Sequence, residues 1–190
     1  EEMGRALLCA PYLSTAVLAA SALVEAGSEE AKKEVLPGIA DGSTIATLAL
    51  VDQGAGWNLD NVSMEARPDG DGFKLSGTKT FVLDGHTAST ILVVARTAEG
   101  LSLFRVDSGA SGLERVGLPT LDQTRKLADL TFNDTPATKV GKDGDLTTDL
   151  ERALFFTLIG LTAEQVGGAQ RCLEMSTQYA KERLQFGRPI

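Results

Sequence analysis

The residues that are best suited to bind a ligand lie at the end of the sequence. They form the segment Arg-Leu-Gln-Phe-Gly-Arg-Pro-Ile, which spans residues 183–190. Arg183, Gln185, Phe186 and Arg188 supply two guanidinium groups, an amide and an aromatic ring. A guanidinium group binds phosphate through paired hydrogen bonds, and a ring can stack on a planar ligand. The segment is therefore a candidate site for a planar, phosphate-bearing ligand. An ordinary helix end with solvated charges is the alternative, and the residue types alone favour it.

A helical pattern precedes these residues. Apolar or small residues recur at positions 166, 169, 172, 173, 176, 179 and 180, which is the spacing of one face of an α-helix. Gly187 and Pro189 are typical of a helix end, and basic side chains there complement the helix dipole. The sequence therefore predicts one long helix over residues 150–183, or two in succession, with the candidate site at its end.

Two further helices are predicted near the start of the chain, over residues 7–26 and 28–36. Ser28 is a suitable N-cap because its hydroxyl can accept a hydrogen bond from the first turn, and two glutamates follow it. Pro37 and Gly38 predict the end of the second helix.

Residues 43–140 have a different pattern, with short β-type runs separated by Gly, Asp and Pro. No helical periodicity lies between the runs, so an antiparallel sandwich or barrel is predicted rather than a parallel sheet. Residues 69–72 (Asp-Gly-Asp-Gly) predict a hairpin turn. The predicted strands are 44–51, 73–76, 80–83, 91–96, 101–106, 112–116 and 127–132.

Composition narrows the possible functions. Hydrophobic residues make up 43% of the 190 residues, the formal net charge is −8 and the pI is about 4.7. An acidic chain disfavours nonspecific nucleic-acid binding. Cys9 and Cys172 are predicted to be reduced core thiols rather than a disulfide. No apolar run reaches the length of a membrane span and no signal peptide is visible, so we expect a cytoplasmic protein.

The sequence gives little support to a hydrolytic enzyme or to a metal site. The one histidine, His86, lies in a predicted exposed turn, whereas a catalytic triad or a histidine-rich metal site would need partners that the sequence does not show. Gly54 and Gly56 form a lone G-x-G without the rest of a phosphate-binding loop. The sequence therefore predicts no metal ligands.

Three segments resemble the acyl-CoA dehydrogenase family, in the family's order. Residues 179–190 resemble its Y-A-x-x-R-x-Q-F-G-x-P-I segment, residues 27–42 its G-(S/T)-E-E-x-K-x-x-x-L-P-x-(I/L)-A-x-G segment, and residues 72–82 its G-x-(Y/W)-x-L-x-G-x-K-x-(W/F)-(I/V) hairpin. The resemblance covers essentially all 190 residues, but only about the middle of a full-length member. It implies an α+β fold: the end of an N-terminal helical domain (1–42), a middle antiparallel β-sandwich or barrel (43–145), and a long helix that opens a C-terminal helical bundle (146–190).

The resemblance also implies a reaction of lipid metabolism. Family members use FAD to desaturate an acyl-CoA thioester: a glutamate removes the α-proton and the β-hydrogen leaves as hydride. In many members this glutamate would lie beyond Ile190, and in others it aligns with Thr157, which is not an acid. Glu164 is the one acid in the chain that we consider for the role, although pairing with a basic group is the more expected fate. The implied partners are an acyl-CoA substrate, electron-transfer flavoprotein or a similar acceptor, and other subunits in a homodimer, homotetramer or heterotetramer.

The family's site residues carry over position by position, with several departures. The loop T-E-P-x-A-G-S-D appears here as residues 51–58, with Val51 for threonine and Trp57 for serine, and W-I-T-N appears as residues 81–84, with Leu83 for threonine. Leu158 stands where some members have a ligand-binding arginine. The resemblance implies that Trp57 contacts substrate. It also implies that Arg183, Gln185 and Phe186, which we call the Arg183 cluster, reach the FAD of a neighbouring subunit. The implied cofactor-binding residues are Val51, Gly56, Phe81, Val82, Leu83, Arg183, Gln185 and Phe186.

Three functions remain open from the sequence. The first is a catalytic FAD-dependent acyl-CoA dehydrogenase with a divergent flavin pocket. The second is a flavin-poor structural subunit of a heteromeric dehydrogenase, which the apolar residues Val51, Leu83 and Leu158 favour. The third is a flavin oxidase on the same fold.

Overall fold

The computed structural model describes residues 1–189. Its helical segments pack against one side of a sheet that is formed by the middle of the chain. The helical segments are α1 (Glu2–Arg5), a π-helix (Leu13–Ala19) that continues directly into α2 (Ala20–Ala26), α3 (Glu29–Asp41), a 3₁₀ turn (Leu59–Asn61) and α4 (Thr147–Glu182). The strands are β1 (Ala46–Ala49), β2 (Ala66–Asp69), β3 (Gly72–Leu83), β4 (Thr90–Thr97), β5 (Gly100–Asp107), β6 (Leu113–Gly117), β7 (Leu127–Lys139), β8 (Leu184–Gln185) and β9 (Arg188–Pro189).

The prediction of one helix over residues 7–26 is wrong. Helix α1 ends before Leu7, which adopts a positive φ of 51°, and the chain becomes helical again only at Leu13. Pro11 lies in the connection and has no N–H to donate, so it cannot continue a helical ladder from the residues before it. The apolar periodicity does not reveal this break, because the segments on both sides of it carry the same apolar pattern.

Helix α3 begins as predicted but ends later. The Ser28 hydroxyl accepts a hydrogen bond from Ala31 N at 3.2 Å. Pro37 lies inside the helix, which continues to Asp41 and ends where Gly42 adopts the left-handed conformation with φ 80°. A proline removes only one donor, and the freed carbonyl belongs to the exposed Lys33, where water can serve it.

The seven-stranded sheet confirms the predicted middle β region. Its strand order is β1-β4-β5-β7-β3-β2, with β6 also paired to β7, and every pairing is antiparallel except β1 with β4. The predicted strands 73–76 and 80–83 belong to the single strand β3, which contains two irregularities in its pairing with β7. The predicted turn at residues 69–72 joins β2, which the list of predicted strands lacked, to β3.

Two apolar cores hold the helices and the sheet together. One packs α2, α3 and the start of α4 against β1 and β5, with Leu23 and Leu150 at its centre. The other lies on the opposite side of the strands around Phe104 and Phe132. The predicted long helix is confirmed as the single α4. The division into domains at residues 42 and 145 stays a prediction.

The two cysteines do not belong to either core. Cys9 and Cys172 are both free and exposed, so the expectation of core thiols is wrong. Cys9 lies in the connection between α1 and the π-helix, and Cys172 lies on α4 outside its buried positions. Within residues 1–189, no helix combines the length and the apolar character that a membrane span requires.

Candidate functional site

An apolar cavity of about 410 Å³ lies between the π-helix, the strands β1 and β3, and the first half of α4. It brings together five residues to which the family resemblance assigns cofactor or substrate contacts. It also contains Thr157 and Leu158 of α4, which the resemblance aligns with the base and with a ligand-binding arginine of some members. We call this space the apolar cavity. Its lining residues are Leu13, Leu18, Leu48, Leu50, Val51, Trp57, Thr80, Phe81, Val82, Leu83, Leu154, Thr157, Leu158 and Leu161.

A bulge in β3 shapes one wall of the apolar cavity. Successive residues of a regular strand point to opposite faces, yet Phe81 and Val82 both line the cavity. Between Lys79 and Val82 the register with β7 shifts, and Phe81 takes a positive φ of 55°. An extra residue in one strand bends it and redirects its side chains. The bulge therefore turns the Phe81 ring toward the cavity, while the ring stays half exposed.

Backbone and side-chain hydrogen bonds fix this bulge. Thr80 N donates to Val51 O at 2.8 Å, and the Thr80 hydroxyl donates to Asp129. The buried Thr47 hydroxyl donates to Leu83 O at 2.5 Å. The wall formed by residues 80–83 is therefore held from β1 and from β7.

The lining of the apolar cavity carries two side-chain hydroxyls, and both are engaged within the protein. Thr80 donates to Asp129, and Thr157 donates to Ala153 O at 2.9 Å. Leu83 and Leu158 add only hydrocarbon. Within residues 1–189, neither hydroxyl of the cavity wall is therefore free to donate to a ligand, and the indole N–H of Trp57 is the remaining side-chain donor in the lining.

A buried ion pair lies directly behind Val51. Lys79 Nζ is 2.5 Å from Asp52 Oδ1 and donates to Leu50 O at 2.9 Å. Asp52 Oδ2 accepts hydrogen bonds from the backbone N–H groups of Ser63 and Met64 at 2.5 and 2.9 Å. These contacts tie the loop after β1 to β3, and they hold one side of the apolar cavity.

The electrostatics of this pair follow from burial and pairing. Burial alone would raise the pKa of Asp52, but the hydrogen bond from Lys79 and those from Ser63 and Met64 outweigh it and lower that pKa. For Lys79, burial outweighs the attraction of Asp52, so its pKa is lowered.

Glu164, the candidate base, does not line the apolar cavity. Its carboxylate pairs with the guanidinium group of Arg125. Both residues line a separate space of about 30 Å³, which we call the polar chamber. Its other lining residues are Met3, Leu8, Ala10, Tyr12, Leu13, Asp84 and Thr124.

The Arg183 cluster lies far from the apolar cavity of the same chain. Thr157 and Arg183 are separated by a stretch of α4 that extends about 39 Å at 1.5 Å per residue. Arg183, Gln185 and Phe186 are exposed, and the Arg183 guanidinium lies 5.5 Å from the centre of the Tyr179 ring. The structure therefore does not bring this cluster to the other candidate residues within one chain.

The other residues that the sequence analysis considered are exposed and do not line the apolar cavity. Gly56 is exposed on the loop after β1 and does not line the apolar cavity, whereas its neighbour Trp57 does. His86 is exposed in a turn, as predicted. Within residues 1–189, no three histidine, cysteine or acidic side chains are grouped as metal ligands.

Sequence reasoning missed about half of the cavity wall. The missed residues belong to predicted helices and strands, and nothing in their spacing separates a cavity wall from a packed core. They are Leu13, Leu18, Leu48, Leu50, Thr80, Leu154 and Leu161.

Comparisons with known proteins agree with this architecture. Residues 47–135 match the family model described as acyl-CoA dehydrogenase, middle domain. Acyl-CoA dehydrogenase FadE27 of Mycobacterium tuberculosis is 33% identical over 188 residues, which are 99% of this chain and 48% of that protein. The chain belongs to the acyl-CoA dehydrogenase family.

Two solved structures of the family extend the comparison. A glutaryl-coenzyme A dehydrogenase in complex with glutaryl-CoA has a TM-score of 0.90 at 25% identity, over 98% of this chain and 50% of that one. A glutaryl-CoA dehydrogenase from Mycobacterium smegmatis in complex with FADH2 has a TM-score of 0.86 at 25% identity, over 93% of this chain and 47% of that one. The chain spans about half the length of these acyl-CoA dehydrogenases.

Proposed function

We propose that the full-length protein is an FAD-dependent acyl-CoA dehydrogenase that desaturates an acyl-CoA thioester. The apolar cavity is the observation that carries the proposal, because it unites Val51, Trp57, Phe81, Val82 and Leu83 next to α4. The resemblance assigns these positions to flavin and substrate. Family membership and the FADH2 complex of the Mycobacterium smegmatis relative give further support.

The cavity suits a planar ring mainly by apolar packing. Its wall is almost entirely hydrocarbon, and Phe81 and Trp57 add aromatic surface to it. A flavin held here would supply the hydride acceptor of the dehydrogenation. The residues of this chain, Val51 and Leu83 among them, would hold and orient the ring and help to exclude water from the reacting carbons.

The phosphate-binding part of the proposal rests on the end of α4. Arg183 and Gln185 lie too far from the apolar cavity to serve it within one chain, but they are exposed and available to a neighbouring subunit. We therefore assign Arg183, Gln185 and Phe186 to the FAD of a second protomer in a dimer or tetramer. Electron-transfer flavoprotein or a similar acceptor would reoxidise the enzyme.

The base of the reaction is assigned outside these residues. Within residues 1–189, no carboxylate lines the apolar cavity, and Glu164 is paired with Arg125 in the polar chamber. We propose that the base belongs to the C-terminal helical domain, as it does in many family members.

The test is the flavin content and reactivity of the full-length protein. The proposal expects a yellow protein whose flavin absorbance near 450 nm is bleached by an acyl-CoA substrate without oxygen. A colourless protein that cannot be reconstituted with FAD would overturn it, and the flavin-poor subunit, which these relatives do not favour, would replace it. Rapid oxygen consumption with hydrogen peroxide release would identify a flavin oxidase.

A further inference from the structure

The apolar cavity has a buried side and an exposed side. Leu18, Leu48 and Leu50 line it and are buried. Trp57 and Phe81 also line it, but about half of their surface or more is exposed to solvent. A ligand with an apolar body and a polar end therefore places the apolar body against the buried side and the polar end toward solvent.

The two helices that line the cavity present their side chains at different spacings. The residues from α4 follow the i, i+3, i+4, i+7 pattern of one face of an α-helix; they are Leu154, Thr157, Leu158 and Leu161. The π-helix contributes Leu13 and Leu18, which are five residues apart. Residues five apart point about 140° away from each other in an α-helix. In a π-helix the hydrogen bonds join residues five apart, so both leucines can share one wall.

Two hydroxyls between these leucines are directed to the sheet. The buried Ser14 hydroxyl donates to Asp84 Oδ2 at 2.6 Å. The buried Thr15 hydroxyl donates to Ala46 O at 2.8 Å and accepts from Ala46 N at 3.2 Å. In an α-helix, residues three and four positions before Leu18 would lie on its face. The π-helix therefore keeps both hydroxyls away from the face that Leu18 presents to the cavity.

Val17 distinguishes the two helical registers. It follows Leu13 by four residues, so it would share the face of Leu13 in an α-helix. Instead it packs against the backbone of α4, where a Cβ at Gly160 would lie 2.8 Å from Val17 Cγ1. Within residues 1–189, Val17 lies outside the cavity lining. Leu13 therefore shares the wall with Leu18 and not with Val17.

We infer that the π-helix is a specificity-determining element, and that Leu13 and Leu18 together set the length of the acyl chain that the cavity accepts. The inference rests on the acyl-CoA ligand of the proposed function. One methylene group more or less in an apolar pocket changes discrimination by about 10-fold or more. Two leucines that enter the cavity from one helix limit the chain on its buried side. A smaller residue at either position gives the chain room to extend.

The test measures the binding of S-alkyl-CoA thioethers with straight chains of increasing length to the full-length protein by isothermal titration calorimetry. These ligands lack the thioester carbonyl, so they are not desaturated and their binding is measured apart from catalysis. The affinity of the wild-type protein should rise with chain length up to a limiting length and then fall. Leu13→Ala and Leu18→Ala should each bind the first thioether beyond that length about 10-fold more tightly than the wild-type protein does.

Two further truncations are the controls. Val17→Ala tests the register, because it removes a side chain that would line the cavity only in an α-helix. Leu23→Ala removes a fully buried leucine of α2 that belongs to the core, so it reports the effect of destabilisation alone. Both should keep the wild-type limiting length. If Leu13→Ala or Leu18→Ala does not fold, Leu13→Val and Leu18→Val make the same comparison with a smaller truncation.

Three outcomes would overturn the inference. One is an unchanged limiting length in either leucine variant, and another is an equal shift in Val17→Ala or Leu23→Ala. The third is a wild-type protein that holds flavin but binds none of the thioethers. The flavin content of the wild-type protein decides the proposed function separately. A colourless protein whose limiting length still shifts as expected would refute the dehydrogenase and support the role of the π-helix.

Discussion

Lys79 Nζ and Asp52 Oδ1 lie 2.5 Å apart, and both side chains are almost completely buried behind the cavity wall. The pair connects the loop after β1 to the bulged strand β3, so it supports Val51 and Phe81 together. Lys79 is also among the largest fully buried side chains of the chain. A buried charge without its partner is costly, so the pair makes the two elements interdependent.

Removing one member of this pair should be strongly destabilising. We expect Lys79→Met to lower the free energy of unfolding by about 3–5 kcal/mol, because Asp52 is left buried without its counter-charge. Urea denaturation followed by circular dichroism measures the change. The control is Arg67→Met, which breaks the exposed Arg67–Asp134 pair and should cost less than about 1 kcal/mol. Similar losses in the two variants would contradict the structural role of the buried pair.

Stability in acid should depend on Asp52. Its pKa is lowered in the folded protein, so the unfolded chain takes up the proton first as the pH falls. The stabilisation is fully present above about pH 4, the ordinary value for aspartate, and is lost as the pH falls through the folded-state pKa. We expect Asp52→Asn to flatten the acid limb of stability against pH in urea titrations. Asp71→Asn, at an exposed turn residue, should keep the wild-type slope.

Two neighbouring glycines of α4 should respond in opposite ways to alanine. A Cβ at Gly167 would collide with the backbone carbonyl of Glu1, where α1 crosses α4, whereas a Cβ at Gly168 would meet nothing nearer than Gly4 O at 3.9 Å. Gly167→Ala should cost about 1–3 kcal/mol through overpacking. Gly168→Ala should gain about 0.5–1 kcal/mol from helix propensity. Thermal unfolding of the two full-length variants measures these effects. Unfolding temperatures that shift in the same direction would contradict the close crossing of α1 and α4 at Gly167.

A hydroxyl at position 83 should strengthen flavin binding. Leu83 stands where the family places a threonine, so we expect Leu83→Thr in the full-length protein to bind FAD about 2- to 10-fold more tightly, the value of one hydrogen bond. A rise in the reduction potential of the bound flavin is the alternative readout. Valine has the same shape as threonine but no hydroxyl donor, so Leu83→Val is the matched control. Equal affinity and equal potential in both variants would show that the hydroxyl finds no partner.

Loss of Arg183 should weaken the retention of FAD between subunits. Removal of a charge-assisted phosphate contact should cost roughly 1–3 kcal/mol of FAD binding in Arg183→Ala. Flavin release during gel filtration measures retention and subunit assembly in one experiment. Lys181→Ala removes a neighbouring positive charge and should change neither. If Arg183→Ala keeps the wild-type flavin content and oligomeric state, the assignment of the α4 end to a subunit boundary is wrong.

The sequence predicted local structure well wherever one residue type determines it. The N-cap at Ser28, the turn at residues 69–72 and the long helix α4 follow directly from capping, glycine and periodicity. Pro37 misled the prediction because a single missing donor at an exposed position does not end a helix. The break between α1 and the π-helix was hidden because apolar residues continue on both sides of it.

The candidate site was predicted only in part, for a geometric reason. Val51, Trp57, Phe81, Val82 and Leu83 could be selected because they lie in recognisable motifs of short loops and strands. Leu13 and Leu161 could not, because their role depends on how distant helices approach the sheet. The separation of Arg183 from the cavity follows from the length of α4. The apolar periodicity predicts this length, but the order of the motifs along the sequence does not show how far apart they lie.

The parallel pairing between β1 and β4 joins segments that are far apart in the sequence, and this separation has a consequence for the order of folding. Strands β4 and β5 are joined by the short turn of residues 98–99 and pair along their whole length, so we expect them to associate early at little cost in loop closure. Strand β1 pairs with the distant β4, and β3 pairs with the distant β7, so both must wait for long stretches of chain to come together. The apolar cavity is lined by residues of β1, β3 and α4, so we predict that it assembles last. A ligand that fills it would then report completed folding and stabilise the finished chain by mass action.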